Sequence, residues 1–402
     1  MNQKNKVGLT ILSVVVVILI AGGLRSPMTA VSPVLNEIIA QFKLSTLEGS
    51  LLTSIPLIVF ASCSVLISRF AVKTNINHTL IYSLLFLIVG LYLRVYGTSS
   101  MLFIGSFLIG LGICIGNVLT PAYIKKLFPN KIGVMTGVFS VAMNLIAAVA
   151  AGLSISIGRW TDMGWKGSLG IWTVWGALAL VAIVIETVIN KGKPKQKHES
   201  LKNEQNKQNS FNVFRSKQAW SISIFMGIQS LVYYCLVALL PTVLINYGMQ
   251  ESETGAVLSV IQLAMLPIMF ISPILATKMK DQKIMIYAVG LLMFIGIGML
   301  PIFKTNYIYI TAIIIGMASG LAFSLSILFF SLKSKTMDGT IKISGKAQSV
   351  GYLIAAFGPP IFGLLYDWSL SWNTSFYFLL IMIIIMTVAG RQAAKPIYIE
   401  DK

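Results

Sequence analysis

Residues 190–217 read NKGKPKQKHESLKNEQNKQNSFNVFRSK, and this hydrophilic stretch decides how the rest of the chain is divided. It has almost no apolar side chain with which to build a core, so it reads as a linker rather than a domain. Upstream, apolar runs of spanning length fall near Gly8–Asn36, Leu47–Phe70, Thr79–Tyr96, Met101–Tyr123, Ile132–Ile157 and Gly167–Ile189. Downstream, six more fall near Trp220–Tyr247, Thr254–Ala276, Ile284–Phe303, Tyr307–Leu332, Ala347–Tyr366 and Ser375–Gly390. A bilayer core needs about twenty apolar residues per helix, which each run approaches or exceeds. The runs lack the alternation of a barrel strand, so an all-α integral membrane protein of twelve transmembrane helices is expected. Its two six-helix bundles occupy residues 1–190 and 218–402, joined by a cytoplasmic linker at 191–217. Short internal matches agree with two related halves: STLEGSLLTS opens span 2 and SETGAVLSV opens span 8, while DMGWKGSLGIW precedes span 6 and DWSLSWNTSF precedes span 12.

Composition supports the bilayer as solvent. Of the 402 residues 56% are hydrophobic and 11% are charged, too few polar groups to cover a water-soluble protein of this length. A net charge of +18 on a soluble chain would suggest nucleic acid. Here the basic residues lie in short clusters between apolar runs, so their distribution reports topology and no nucleic-acid partner is expected. Lys4 and Lys6 precede the first run as in a signal peptide, but the run is long and lacks a small-x-small cleavage site. It reads as an uncleaved span 1.

An even number of spans places both termini on one side. Twenty-five of the 31 lysines and arginines fall on that side, five fall opposite, and Arg25 lies within the membrane. By the positive-inside rule both termini are cytoplasmic, in a cell membrane.

A charge near a span centre costs about 2.5–3.5 kcal/mol on insertion scales and calls for a reason. Arg25 is the clearest case, because it follows a long apolar helix and precedes SPMTAVSP. Its fork of donors suits a carboxylate or another planar anion. The competing reading is an arginine that bonds helix carbonyls or snorkels outward. Arg94, toward the outer end of span 3, serves either as an anchor or as a gate residue. Asn117, Asn144, Gln229 and Gln348 are amides in apolar surroundings, where interhelical hydrogen bonding competes with pocket lining. Tyr233 and Tyr352 are candidates to stack on a small planar solute. The run AAFGPPIFG places Gly358, Pro359 and Pro360 in span 11, where lost backbone donors predict a bend and a candidate gate hinge.

Several chemistries find no residues to support them. The acids fall in loops or near span ends, with Glu37 and Glu48 by the outer loop and Glu186 near the inner end of span 6. This pattern fits uniport, anion exchange or proton symport of an anion better than cation/proton antiport. No Walker lysine, nucleophile–base pair or metal-ligand spacing appears, so neither enzymatic activity nor a cofactor is expected. Cys63, Cys114 and Cys235 each sit inside an apolar run and read as packing residues.

Taken in order, GNVLTPAYIKKLFP, GVMTGVFSVAMN, IQSLVYYCLVALLP and GKAQSVGYLIAAFGPP resemble the cyanate permease family of the major facilitator superfamily, which also contains a 2-nitroimidazole exporter. The likeness runs from Leu24-Arg25 through Leu93-Arg94 to span 11. It implies a monomeric two-bundle carrier whose central site opens alternately to each side, with Arg25, Asn117, Gln229, Tyr233 and Gln348 on motif positions facing the cavity. Two departures stand out. Leu239 precedes Leu240-Pro241 where the family commonly has tryptophan, and the loop SRFAVKTNIN lacks the aspartate and paired glycines of the general superfamily signature. A secondary active or facilitative transporter of a small polar, anionic solute is expected, with efflux of neutral drug-like compounds such as nitroimidazoles as the alternative.

Overall fold

The computed structural model describes residues 3–191 and 211–401. Most of the expected linker, residues 192–210, lies outside the described residues. Among the described residues every regular element is helical, and twelve helical stretches are long and apolar enough to cross a membrane. Each follows from an apolar run ended by polar or helix-breaking residues. STLE, opening the second span, forms a capping box: the Ser45 hydroxyl accepts from the Glu48 N–H at 3.2 Å, and Glu48 accepts from the Ser45 N–H at 2.7 Å. The Ser45 N–H bond, together with one that the Ser45 hydroxyl donates to the same carboxylate oxygen at 2.8 Å, holds the Glu48 carboxyl below its ordinary pKa.

The first span is not one helix. It comprises α1 (Gln3–Gly23), a turn at Leu24-Arg25, α2 (Ser26–Thr29), a 3₁₀ turn and α3 (Leu35–Phe42). Pro27 and Pro33 cannot donate backbone hydrogen bonds, so the helix is interrupted twice within SPMTAVSP. The remaining spans are α4 (Thr46–Ala71), α5 (Ile76–Tyr96), α6 (Ser99–Leu127), α7 (Ile132–Trp160), α8 (Trp165–Lys191), α9 (Lys217–Asn246), α10 (Glu251–Lys278), α11 (Lys283–Phe303) and α12 (Ile308–Leu332). The eleventh is split into α13 (Met337–Ala356) and α14 (Gly358–Ser369), and α15 (Trp372–Ala393) is the twelfth. The split falls at Phe357, directly before the Gly-Pro-Pro that removes two backbone donors in succession.

Helix pairing repeats six spans later. In the first half α1 packs on α7 and α8, α4 and α5 pack on α6, and α5 packs on α8. In the second, α9 packs on α13 and α15, α10 and α11 pack on α12, and α11 packs on α15. The corresponding spans pair identically, which makes the two bundles structural repeats. Between them α4 packs on α13 and α7 on α10, an exchanged relation in which each repeat offers the other the same pair of faces. Outward faces are apolar: α8 exposes Val174, Val181 and Val188, one every two turns, a stripe that lipid covers.

Small residues set the closest helix approaches. A Cβ at Gly105 of α6 would stand 2.6 Å from the Gly90 carbonyl oxygen and 2.8 Å from the Arg94 nitrogen of α5, backbone atoms that cannot step aside. Overpacking of this kind costs about 1–3 kcal/mol or more, so Gly105→Val is expected to lower Tm and the yield of monodisperse protein. Gly152→Val is the control, since nothing lies within 4 Å of a Cβ there. Equal thermal and size-exclusion profiles for the two variants would contradict this packing.

The bundles close on the side where the termini lie. There Gly133 and Gly137 of α7 meet the backbone of Pro273 and Phe270 on α10, and Gly345 of α13 meets Ser64 and Ser68 of α4. The Lys125 ammonium at the end of α6 donates to the carbonyls of Ser331, at 3.0 Å, and of Ser334, and Ser331 Oγ donates to the Pro121 carbonyl at 3.0 Å. Toward the far end, Gly152 of α7 and Gly255 of α10 look onto open space.

Glu186 lies near the inner end of α8, as expected, and is fully buried there, where its carboxylate accepts from Asn77 Nδ2 at 3.0 Å. Lys126 in turn donates to Asn77 Oδ1 at 3.0 Å, so an amide relays between cation and carboxylate inside the first bundle. The group was hard to find because its partners come from α5 and α6, more than fifty residues away.

Candidate substrate site

The break in the first span builds the site. A helix that stops leaves carbonyls without the N–H four residues on, and in an apolar bundle these need other donors. The Pro27 carbonyl accepts from Arg94 Nη2 at 2.9 Å, and the Ala30 carbonyl accepts from Ser154 Oγ at 2.7 Å. Thr29 Oγ1 adds a bond to the Ala147 carbonyl at 3.0 Å. Arg94 is thus a buried brace, on α5, of the segment that follows Arg25. The break is fixed from α5 on one side and α7 on the other.

Within this braced turn Arg25 is half-buried and reaches across to the second bundle. Its Nη1 donates to Asn144 Oδ1 on α7, while Asn144 Nδ2 donates to the Ser140 carbonyl at 2.8 Å. That second bond fixes the amide so that its oxygen faces the guanidinium. The Arg25 guanidinium carbon lies 5.7 Å from the Tyr233 ring centroid on α9 and 5.8 Å from that of Phe323 on α12. Aromatic faces at this range stabilise a cation without neutralising it. Tyr234 and Tyr352 are electrostatic neighbours of the same guanidinium. Tyr233, Tyr234 and Tyr352 are the electrostatic partners of Arg25 among the described residues, so no carboxylate offsets its charge. Of the five N–H donors in the fork, Asn144 and the Tyr234 hydroxyl engage part, and the others leave capacity for a planar acceptor.

The other sequence candidates fall at graded distances from this centre. Asn144 and Tyr233 contact Arg25 directly, and the Tyr352 ring on α13 lies tilted with its centroid 5.0 Å from that of Phe60 on α4, joining the bundles nearby. Gln348 lies one turn before Tyr352; its Nε2 donates to Ser344 Oγ at 2.9 Å and its Oε1 is buried without a partner. Asn117 is partly buried on α6, and its backbone carbonyl accepts from Ser344 Oγ at 3.4 Å. Gln229 is buried one turn before Tyr233 and donates to Ser230 Oγ at 2.7 Å. Gly358, Pro359 and Pro360 stand apart from Arg25, with Gly358 close against Leu231 and Cys235 of α9. Sequence reasoning missed Phe60, Phe323 and Ser154. Phe60 and Phe323 are ordinary aromatics in apolar runs, and only the fold shows that Phe323 faces a guanidinium and that Phe60 meets Tyr352 across the bundles.

Two structural repeats of six spans, meeting around a broken first helix, define a polytopic membrane carrier. The family profile described as Major Facilitator Superfamily matches residues 14–342, and the chain belongs to that superfamily. It is 35% identical over 384 residues to the uncharacterized transporter YycB of Bacillus subtilis (strain 168), covering 95% of this chain and 93% of that one. Identity to the 2-nitroimidazole transporter of Escherichia coli (strain K12) is 31% over 379 residues, covering 94% of each. The cyanate transport protein CynX of the same bacterium is more distant, at 24% over 362 residues, covering 87% of this chain and 88% of that one. A solved structure of the proton:xylose symporter XylE superimposes with a TM-score of 0.79 at 12% identity over 98% of each chain, a likeness of fold alone. These relatives are membrane transporters, and the expected resemblance to the family of the 2-nitroimidazole and cyanate carriers holds.

Proposed function

We propose that this protein is a secondary active or facilitative transporter of a small, polar, anionic solute, exposing the pocket around Arg25 alternately to each side of the cell membrane. The observation that carries this reading is the Arg25 guanidinium, half-buried between the bundles with aromatic and amide neighbours and no carboxylate. A cation desolvated in this way is offset by an anion it binds, and the fork favours a planar carboxylate or cyanate-like group. Asn144 orients the fork, Tyr233 and Tyr352 flank it, and Asn117, Gln229 and Gln348 supply amide groups deeper along the cavity. Gln348 Oε1, buried and unpartnered, is an acceptor for a solute hydroxyl or N–H. Arg94 keeps the broken helix rigid, and the α13–α14 break at Gly358, Pro359 and Pro360 supplies the bend used on opening.

The protein acts as a monomer, with bundles at 1–190 and 218–402 and the linker at 191–217 as their connection. The excess of lysine and arginine on the terminus side supports a cytoplasmic placement of both termini. The structure is then closed toward the cytoplasm.

A second reading has its own support. Phe60, Tyr233, Phe323 and Tyr352 give the pocket an aromatic wall, and 31% identity links the chain to a 2-nitroimidazole transporter. Efflux of neutral, planar, drug-like compounds would use that wall and leave Arg25 a structural cation. Uptake into liposomes by the purified protein separates the two. Cyanate and short carboxylates are expected to accumulate and to compete with one another, with neutral nitroimidazoles at least tenfold weaker as competitors. Transport of nitroimidazoles unaffected by any small anion would overturn the anionic reading.

A further inference from the structure

A second basic site lies away from Arg25, on the terminus side. The end of α4, residues 211–214 and the first turns of α13 border a half-open cavity of about 240 Å³. Arg69, Lys342 and Lys346 line it, with Ser68, Asn212 and Phe214. No carboxylate is among its lining residues; Asp338, one turn before Lys342, is that lysine's electrostatic neighbour outside the cavity.

Lys346 is the unusual member. Its side chain is fully buried, its ammonium stands 4.0 Å from the Trp220 ring centroid and 5.3 Å from that of Phe214, and it donates to the Val213 carbonyl at 3.2 Å. An ammonium has three donors. One carbonyl and two ring faces hold this one in place without supplying an opposite charge. A buried lysine without a carboxylate is costly, and a bound anion relieves that cost. Arg69, exposed at the mouth, and the partly buried Lys342 border the same space from the two bundles, so three cations line one half-open volume with Lys346 at its buried side.

We infer that this cavity is a binding site for a phosphate group, from an anionic phospholipid headgroup or from free phosphate. Three cations suit a group with several charged oxygens better than a monovalent halide, and a water occupies about 30 Å³, so the cavity has room for a hydrated phosphate. Basic pockets between spans at this depth face the headgroup layer, where phosphate is abundant. The site joins the repeats: Arg69 belongs to the first bundle, Lys342 and Lys346 to the second. A bound phosphate therefore bridges the bundles on the side where they are closed, and separation of α4 from α13 divides its ligands.

The test is thermal unfolding of the purified full chain, with potassium phosphate compared against potassium chloride at matched ionic strength, and in nanodiscs of phosphatidylcholine with or without phosphatidylglycerol. A saturable Tm rise of about 2 °C or more is expected from at least one probe. Phosphate acting in phosphatidylcholine identifies the free ion, while phosphatidylglycerol acting with no further rise from phosphate identifies the headgroup. The rise is absent in Arg69→Gln/Lys342→Gln and kept in Arg25→Gln, which separates this site from the central one. Lys342 acylation, read by mass spectrometry on unaltered protein, is slowed at least threefold by the active probe. No shift with either probe, a shift that survives the double substitution, or unprotected Lys342 overturns the inference.

Discussion

Arg25→Gln and Arg25→Lys each lower transport into liposomes by roughly 100-fold, while membrane insertion and Tm stay near those of the unaltered protein. The magnitude follows from what each change removes. Hydrogen bonds to charged groups are worth about 1.5–3 kcal/mol apiece, and about 3 kcal/mol at the binding step corresponds to a factor near 100. Glutamine keeps a donor for Asn144 Oδ1 but loses the charge. Lysine keeps the charge but not the planar fork, so the two substitutions test charge and geometry separately. Insertion survives because neither variant disturbs the brace: the Pro27 and Ala30 carbonyls remain bonded to Arg94 and Ser154. Asn144→Ala, which frees the guanidinium to turn, is expected to cost about tenfold. Full transport by both Arg25 variants, measured on the solute that the wild-type protein accumulates, removes Arg25 from the mechanism.

The architecture was legible in the sequence because the bilayer imposes it. Twelve apolar runs, one polar interval at 190–217 and the helix-only rule for lipid-exposed backbone leave little freedom, and the structure has its spans close to those positions, mostly longer by a turn or less at each end. Arg25 was legible for the same reason, since a charge in an apolar run stands out by its insertion cost. The bend at Gly358-Pro359-Pro360 was readable from missing donors. What escaped was everything that depends on which distant residues meet. Arg94 read either as an anchor near the headgroups or as a gate residue, yet it is buried and satisfies the Pro27 carbonyl in the broken span, a need that exists only once the helix is interrupted. Phe323 is one of 21 phenylalanines, with no local signal to distinguish it. Lys346 read as one more topological cation, whereas the fold seals it under Trp220.

Lys125→Gln shifts the protein toward opening on the terminus side, by about tenfold in the equilibrium between closed and open states. The loop Ser68–Asn77 lacks the acid that locks this gate in the general superfamily signature, and Lys125 is placed to lock it by different chemistry. The last carbonyls of a helix carry a partial negative charge and lack N–H partners. The Lys125 ammonium, at the end of α6 in the first bundle, caps this terminus of α12 in the second through Ser331 and Ser334, and Thr340 Oγ1 lies at 3.4 Å. The receiving end is itself held: Ser334 Oγ donates to Glu400 at 2.6 Å, the Lys335 N–H donates to the same carboxylate at 3.1 Å, and Lys333 Nζ donates to the carbonyls of Ala394 and Lys395. A rigid acceptor makes the latch a two-position contact, made or broken, as an alternating gate needs. Loss of one charge-assisted bond of about 1.5–3 kcal/mol predicts a shift of at least tenfold in favour of the open state. Ser68→Cys, at the α4 position that packs against Gly345 of α13 on the closed side, in a background lacking Cys63, Cys114 and Cys235, reads this as a tenfold faster reaction with an impermeant maleimide added on the terminus side. Lys125→Arg retains the charge and most of the closure. An unchanged labelling rate in Lys125→Gln assigns closure to the α4–α13 and α7–α10 contacts alone, and the helix-end latch is then wrong.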